Sequence, residues 1–481
     1  MVLGGYLAAV LVVCSVKGQY RFHWTRMASL LVPPASVRGM TCLDRDAFTT
    51  TTKVPHIKLG DVQLAKIMPV VKKYMLKLQK LKPVQDTENG KIVYIDPQKV
   101  KSVEDIPEDD RILLSIKHLK ELEKIPLTLT YENWRQDEVL KAILPENVEV
   151  PTSYSIVGHI IHLNLRDSQL PYRNIIGEVF LDKINIARTV VNKLNVIDTT
   201  FRHFKMEILA GEDNTTTIVK ENGFTYEFDF AHVYWNPRLG TEHMSLTASL
   251  KRNDVLYDVF AGVGPFAVPA ARRGAKVLAN DLNPESYKWL QRNAKINKVQ
   301  SNLKTFNKDG RDFLRYEVKA DLIKRRNENI EGNEYIAMNL PALAIEFLDV
   351  ITNCWFSSEE VKSIVCRPPT VHLYCFVKIQ KDEDPHALAK TLVEKKLGCS
   401  LCPEILVTVR HVRNVSPNKE MMRVSFLLTK TILQGEEPAK KKAKMITDNI
   451  DTLIKDNVVG SNGKEQGSSQ DQKCIQGGRS S

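Results

Sequence analysis

The second half of this 481-residue chain contains a segment that combines an acid with two closely spaced glycines, D-V-F-A-G-V-G-P-F at residues 258–266. The apolar start of this segment predicts a strand that ends near Asp258, and Gly262 and Gly264 predict a turn before the next helix. Glycines at such a turn let the backbone approach a ligand bound at the helix N-terminus. Asp258 would repel a dinucleotide pyrophosphate, whereas it can face a ligand ammonium group. The segment therefore favours a ligand that carries positive charge.

Three later segments carry side chains that can accept hydrogen bonds. Asp281, followed by Leu282, stands about twenty residues after the glycines, where an acid accepts hydrogen bonds from ribose hydroxyls. Asp309, followed by Gly310, can accept from an adenine amino group, and Asn339 begins the fourth segment, N-L-P. Each segment follows a predicted strand, and open α/β sheets bind ligands at the carboxyl ends of their strands. The four segments together predict one ligand-binding edge.

Alternating strands and helices position these segments. Short apolar runs predict strands at 255–260, 275–279, 303–306 and 335–337, with helices over 265–273 and 284–299 between the first three. Two further strands, 405–412 and 421–428, flank a Ser-Pro-Asn turn. The pattern predicts an α/β fold, a Rossmann-like doubly wound sheet with a terminal antiparallel pair.

Upstream of this sheet, the chain predicts a β-hairpin with an aromatic face. Phe224, Tyr226, Phe228 and Phe230 alternate with polar residues directly after an Asn222-Gly223 pair. Asn-Gly between alternating runs favours a two-residue hairpin turn. We interpret the aromatic stripe as core packing rather than as a base-stacking surface.

Composition divides the chain into five zones. We expect a leader over 1–43, a mostly helical and charged zone over 44–150, a β-rich small α+β domain over 151–245, the doubly wound domain over 246–435, and a disordered basic and polar tail over 436–481. The formal net charge of +11 favours a polyanionic partner. No segment predicts a transmembrane helix, so we expect no membrane partner.

The eight cysteines include one C-x-x-C pair, Cys399 and Cys402. A zinc or redox site there is one interpretation, but no second pair accompanies it, so we expect reduced thiols and no metal.

Both ends of the chain resemble address signals. The first acid is Asp44, and Arg21, Arg26 and Arg38 precede it, which is typical of a mitochondrial presequence; a secretory signal and a disordered leader are the alternatives. The lysine run at 440–444 is typical of a nuclear address or of a solvated charge run. We expect a mitochondrial matrix protein with nuclear and cytoplasmic pools.

The order of the four segments resembles the eukaryotic and archaeal tRNA guanine-N1 methyltransferases, which act on guanosine 37 next to the anticodon. Residues 201–212 are similar to the family's R…E-x-L-A-G-E segment, and residues 233–243 are similar to its Y-x-N-x-R-L-x-x-E segment. The resemblance covers roughly residues 150–430. It implies that S-adenosylmethionine is the cofactor, that tRNA is the partner through its anticodon loop, that zone 44–150 recognises RNA, and that zone 151–245 positions the base.

The family's site residues transfer to this chain position by position. The resemblance implies that Glu242 is the general base, that Arg202 lies by the target base, and that Arg238 belongs to the same motif. It also implies that the cofactor is held by His243, Asp281, Leu282, Asp309, Gly310 and Asn339, to which the first segment adds Asp258, Gly262 and Gly264. Two departures stand out: Met244 and Ser245 follow His243 where the family often has an arginine, and N-L-P replaces N-P-P.

The chemistry of guanine is consistent with these roles. N1 carries a proton and becomes a nucleophile when a carboxylate removes it, and a guanidinium at O6 stabilises the resulting charge. The base must leave its stack, which costs less free energy in a loop than in a duplex.

The alternatives are transfer of the cofactor's aminocarboxypropyl group to a modified guanosine, a non-catalytic RNA-binding module, a helix-capping role for Glu242 and a phosphate contact for Arg202. We expect a monomer.

Overall fold

The computed structural model describes residues 31–59, 64–88, 90–116, 118–197, 204–352 and 354–434. These residues form two compact units. The first comprises the chain as far as Thr152 together with Arg166–Lys183, and the second comprises Ser153–Leu165 and the chain from Ile184 onward. Arg202, residues 1–30 of the predicted leader and the tail from residue 435 lie outside the described residues.

The first unit contains an antiparallel sheet of four strands in the order β2-β3-β1-β4. Its strands are β1 Thr50–Leu59, β2 Val84–Thr87, β3 Gly90–Tyr94 and β4 Lys124–Leu129, and its helices are α1 Leu64–Tyr74, α2 Glu108–Leu113, α3 Gln136–Ile143 and α4 Arg173–Lys183. Zone 44–150, which was predicted to be mostly helical, therefore also contains a four-stranded sheet that the prediction did not include. β1 is rich in β-branched residues, and its Ile57 and Leu59 pack against α1, so side-chain packing on the sheet outweighs the helical charge pattern.

The described part of the predicted leader belongs to this unit. Val37 and Leu43 are buried. The Arg38 guanidinium donates a hydrogen bond to the Leu144 carbonyl at 3.1 Å, and the Gly39 N–H donates to the Ile143 carbonyl at 2.7 Å. The prediction that the leader extends to residue 43 is therefore wrong for residues 31–43, because tertiary contacts hold them against the end of α3.

The second unit begins with a four-stranded sheet and a hairpin. The sheet has the order β5-β6-β7-β8, and the strands up to the hairpin are β5 Tyr154–Val157, β6 Ile160–Leu163, β7 Thr189–Ile197, β8 Phe204–Gly211, β9 Thr216–Glu221 and β10 Phe224–Asp229. Asn222 and Gly223 connect β9 to β10 with φ of 52° and 83°. Positive φ at both positions is the mark of a type I′ turn, so the predicted hairpin is confirmed.

A seven-stranded sheet forms the rest of the second unit. Its strands are β11 Val255–Asp258, β12 Lys276–Asn280, β13 Leu303–Phe306, β14 Glu334–Met338, β15 Thr370–Lys378, β16 Leu406–Ser416 and β17 Lys419–Leu427. Their order is β13-β12-β11-β14-β15-β17-β16, with the first five parallel. β17 runs antiparallel to both β15 and β16. The predicted doubly wound sheet with a terminal antiparallel pair is confirmed.

Helices cover both faces of this sheet. They are α5 Gly240–Ala248, α6 Ala267–Arg272, α7 Pro284–Ile296, α8 Gly310–Asp312, a π-helical turn Phe313–Val318, α9 Lys319–Asn327, α10 Leu348–Thr352, α11 Ser358–Val365, α12 Pro385–Leu397 and α13 Lys430–Gln434. Tyr226 and Phe228 of the hairpin are buried in the core under one face and pack against Trp235, with ring centroids 5.3 and 5.0 Å apart. The interpretation of these aromatic residues as core is therefore confirmed. Among the described helices, none is both long and apolar enough to cross a membrane.

Candidate active site

The four predicted segments lie at one edge of the seven-stranded sheet, because β13, β12, β11 and β14 are parallel neighbours. A fully buried amide, Asn280, ties three of their ends together. Its Nδ2 donates to the Val259 carbonyl at 3.2 Å and to the Lys308 carbonyl at 3.0 Å, while its Oδ1 accepts from the Lys308 N–H at 2.9 Å. Sequence reasoning did not single out Asn280, which fixes the loops that follow β11, β12 and β13.

The glycine turn is built for close approach. Gly262 and Gly264 have φ of 55° and 102°, which favours glycine, and a Cβ at Gly264 would come within 2.8 Å of Leu290. Asp281 anchors the turn, because its Oδ2 accepts from the Gly262 N–H at 2.8 Å and its Oδ1 accepts from the Asn283 N–H at 2.9 Å. The second segment therefore positions the first.

Two acids at this edge, Asp258 and Asp281, have raised pKa values. Burial and the repulsion of Asp281 raise the pKa of Asp258 to about 8. Burial raises the pKa of Asp281 to about 6, against the opposing hydrogen bonds from Asn283 and Gly262. Both Asp258 oxygens, and Oδ1 of Asn339, are buried without a hydrogen-bond partner among the described residues. A ligand that brings positive charge and hydrogen-bond donors would satisfy all of these groups.

The third segment follows β13, the outermost strand on this side of the sheet. Asp309 caps α8 by accepting from the Arg311 N–H at 2.8 Å, and a Cβ at Gly310 would come within 2.9 Å of Phe347. Leu282 is 47% exposed, so its apolar side chain is available to a flat ring. The cofactor-binding roles of these three residues stay predictions.

Glu242 lies in the first turn of α5, which follows a 3-10 turn capped by Asn236. Its side chain is only 5% exposed. Its Oε1 accepts from the Tyr374 hydroxyl at 2.7 Å and from the Arg423 guanidinium at 2.6 Å, and the Arg410 Nε lies 3.9 Å from its Oε2. These contacts hold the Glu242 carboxylate in one orientation, and the nearby guanidinium groups offset its negative charge.

His243 connects Glu242 to the glycine turn. Its Nδ1 lies 2.7 Å from Oε1 of Glu221 at the end of β9, and its ring packs edge-on against Phe266 with centroids 4.9 Å apart. The side chain is buried. The structure therefore gives His243 a protein partner, and its predicted contact with the cofactor stays a prediction.

Arg238 lines a cavity of about 400 Å³ at the four-stranded sheet. The Arg238 side chain is exposed and is not among the hydrogen-bond partners of Glu242. Burial lowers the pKa of His162 in this cavity to about 4. Aromatic and basic side chains line the cavity together: His162, Lys193, Phe230, Tyr234, Trp235, Arg238 and Arg413.

Sequence reasoning missed the residues that surround Glu242. Arg423 lies in a strand whose neighbours are almost all buried, and Tyr374 lies in another. An arginine inside an otherwise apolar strand was the available signal, because a buried charge requires a partner. Cys399 is buried and Cys402 half-buried, and within the described ranges no group of three or more His, Cys, Asp or Glu side chains could hold a metal.

The fold and the ligand edge define a class of enzyme. Class I methyltransferases have a seven-stranded sheet with the order found here, β13-β12-β11-β14-β15-β17-β16. They also have a glycine turn after the strand that corresponds to β11 and acids after those that correspond to β12 and β13. The cofactor of this class is S-adenosylmethionine. Its ammonium and ribose groups suit the unpartnered Asp258 and the adjacent Asp281.

Comparison with known proteins identifies the family. Residues 217–355 match the TRM5/TYW2 methyltransferase domain, and residues 136–215 match the TYW2 N-terminal domain. The tRNA (guanine(37)-N(1))-methyltransferase of Drosophila pseudoobscura pseudoobscura is 45% identical and covers 86% of this chain and 93% of its own length. That of Xenopus tropicalis is 48% identical over 84% of this chain and 81% of its own.

A solved structure agrees with this assignment. The complex of aTrm5 and tRNALeu is 25% identical with a TM-score of 0.53, and the match covers 78% of this chain and 99% of that chain. The chain belongs to the tRNA (guanine(37)-N(1))-methyltransferase family.

Proposed function

We propose that this protein transfers a methyl group from S-adenosylmethionine to N1 of guanosine 37 in tRNA, next to the anticodon. The observation that carries the proposal is the buried carboxylate of Glu242, whose helix packs through His243 against Phe266 of the glycine turn. The names of the relatives and the solved complex with tRNALeu support the choice of substrate.

The chain's own residues bind and orient the cofactor, which supplies an electrophilic methyl group when bound. Asp258 faces positive charge, and Asp281 offers its carboxylate to the ribose while it anchors Gly262. The unpartnered Oδ1 of Asn339 accepts a further donor. Gly264 lets the turn pack closely against Leu290, whereas a Cβ at Gly262 would project into open space. Each of these roles is part of the proposal.

Glu242 then acts as the general base. It takes the proton from N1 of guanine, the N1–H electron pair stays on the ring, and the negative charge spreads toward O6. A guanidinium stabilises that charge, a role that we propose for Arg202 and to which Arg238 contributes from the rim of the cavity. A general base of this kind accelerates a reaction roughly 10²- to 10⁴-fold.

The cavity beside Arg238 suits RNA. Its walls combine flat rings, such as Tyr234, with the cations Lys193 and Arg413. Rings stack on bases and cations pair with phosphates. The +11 net charge of the chain also favours binding to RNA, because RNA is a polyanion.

Nucleoside analysis of unmodified tRNA after incubation with the protein and cofactor tests the proposal. We expect 1-methylguanosine at position 37, and a tRNA with adenosine at that position should gain none. Binding to tRNA should also weaken steeply with salt, because phosphate contacts release counterions. Absence of 1-methylguanosine with a correctly folded protein would contradict the proposal.

A second candidate has one observation in its favour. The match of residues 136–215 to the TYW2 N-terminal domain leaves room for transfer of the aminocarboxypropyl group to a modified guanosine. The relatives that cover most of the chain support methyl transfer instead. A cofactor labelled separately on its methyl and carboxyl carbons distinguishes the two, because only the transferred carbon reaches the RNA.

A further inference from the structure

We propose that Tyr374 and Arg423 are positioning residues which commit one oxygen of Glu242 to the protein and leave the other, Oε2, as the atom that takes the proton from guanine N1. This inference rests on the proposed function, in which Glu242 is the general base. It assigns Oε2 as the atom that accepts the proton. It also assigns Tyr374 on β15 and Arg423 on β17 as the residues that set how readily Oε2 does so.

The two carboxylate oxygens have different surroundings. Oε1 receives both the Tyr374 hydroxyl at 2.7 Å and an Arg423 N–H at 2.6 Å. Oε2 makes no hydrogen bond to any described residue, and the Arg410 Nε, at 3.9 Å, lies beyond hydrogen-bond length. A carboxylate has about four positions at which it accepts hydrogen bonds, two on each oxygen. Both positions on Oε1 are therefore occupied, while Oε2 keeps its lone pairs.

The donors to Oε1 are themselves fixed. The Tyr374 side chain is fully buried, and its pKa is raised far above the usual value by burial and by the charge of Glu242. Tyr374 therefore remains a hydroxyl that donates and does not compete for the proton. The Arg423 side chain is 9% exposed and lies within the sheet, between neighbours on β15 and β16.

Among the residues that the structure describes, three charged or titratable side chains approach the Glu242 carboxylate. Tyr374 faces it from β15, Arg410 from β16 and Arg423 from β17. On its own helix, His243 turns to Glu221, and the hydroxyl of Ser245 is engaged by Arg410. The Glu242 carboxylate is thus surrounded by two arginine guanidiniums and one hydroxyl, which hold it in place for the role of a general base.

During the step, the N1–H bond of guanine breaks and its electron pair remains on N1. The proton forms an O–H bond at Oε2, while Oε1 keeps its two donors. The orientation of the carboxylate therefore does not change during the transfer, because the bonds that hold it are made by the oxygen that does not react. Preorganisation of this kind lowers the cost of reaching the transition state.

The test is single-turnover methylation of tRNA by the full chain at saturating cofactor, across a pH series. Tyr374→Phe removes one donor to Oε1. We expect the acidic limb of its profile to move up by roughly one pH unit, the equivalent of one hydrogen bond to a charged group. The rate should fall about tenfold below that limb and recover above it.

Arg423→Gln should move the limb further, by roughly 1–3 pH units. Arg423→Lys keeps the charge, so its limb should stay near that of the wild type while the rate falls at all pH values. Tyr257→Phe is the matched control, because the buried Tyr257 hydroxyl donates to Asp321 at 2.8 Å in the same sheet. This control should leave the limb unmoved.

The outcomes separate the inference from the proposed function. No 1-methylguanosine from the wild type would contradict the function, and a wild-type rate from Glu242→Gln would remove Glu242 as the base. If both behave as expected but Tyr374→Phe keeps the wild-type limb, the contacts of Tyr374 and Arg423 with Oε1 are merely structural and the inference is overturned. Tyr374→Phe alone decides this point if the Arg423 variants do not fold.

Discussion

His243 and Glu221 form a largely buried hydrogen-bonded pair, with Nδ1 2.7 Å from Oε1, that joins the end of a β-hairpin to the helix that carries Glu242. A Cβ at Gly240, in the first turn of the same helix, would come within 3.0 Å of the Glu221 carboxylate. The hairpin therefore supports the first turn of α5 at the point where the proposed base is attached.

We expect Glu221→Ala and His243→Ala to be strongly coupled. Each removes one partner of a buried hydrogen bond to a charged group, so a double-mutant cycle of unfolding free energies should give a coupling of about 1.5–3 kcal/mol. The exposed pair His232 and Asp229 is the control and should couple by less than about 1 kcal/mol. Equal coupling in the two cycles would show that the buried pair has no special role.

Asn293 should matter for both stability and cofactor affinity. Its buried amide accepts from the Glu227 N–H at 2.8 Å and donates to the Val263 carbonyl, inside the glycine turn, at 3.0 Å. Asn293→Ala leaves two buried groups unpaired and should cost about 2–4 kcal/mol in denaturant unfolding. Asn297→Ala, which loses only contacts with Thr225 and its own helix, should spare cofactor affinity by calorimetry. Equal affinity loss in both variants would contradict this role of Asn293.

Asp258 should make the cofactor-free protein less stable as the pH rises. The pKa of its carboxyl is raised to about 8 in the folded state, against roughly 3.9 when unfolded. Between these values the folded state holds the extra proton, so stability is fully present below about pH 4 and declines toward pH 8. In thermal melts, Asp258→Asn should therefore gain stability over the wild type as the pH is raised from 5 to 8. A constant difference across this range would contradict a raised pKa.

Asp281→Ala should weaken cofactor binding by roughly 10- to 100-fold, because a charge-assisted hydrogen bond to the ligand and the anchor of the Gly262 N–H are lost together. Calorimetry with S-adenosylmethionine measures this directly. Asp321→Ala is a suitable comparison, since Asp321 pairs with Lys276 at the opposite end of β12. If the two variants bind the cofactor equally well, Asp281 is not in the site.

Truncation tests the boundary of the predicted leader. A chain that begins at residue 44 loses the buried Val37 and Leu43 and the bond from Arg38 to Leu144, so it should melt several degrees below a chain that begins at residue 31. Mitochondrial import stays a proposal, and a fluorescent fusion of residues 1–30 tests it. Identical melting of the two truncated chains would restore residue 43 as the boundary.

Local patterns carried most of the prediction of the fold. The Asn222-Gly223 pair and the alternating aromatic residues after it specify the hairpin, and the glycine turn with Asp281 and Asp309 specifies the ligand edge. The sheet in zone 44–150 was missed because the charged residues there follow a pattern typical of helices, whereas pairing between distant strands leaves no local period. The contacts of Tyr374 and Arg423 with Glu242 were missed for the same reason, since Arg423 is 181 residues away in the sequence.

The passage of the chain between its two compact units affects how the protein can be divided. Strands β6 and β7 are parallel, so a crossover must join them, and this crossover contains α4, whose segment Arg166–Lys183 belongs to the other unit. No single cut in the backbone can therefore release either unit whole. A fragment that begins at residue 184 would keep every strand of the cofactor sheet yet lose β5 and β6, and β7 would present an unpaired edge to which other chains could add.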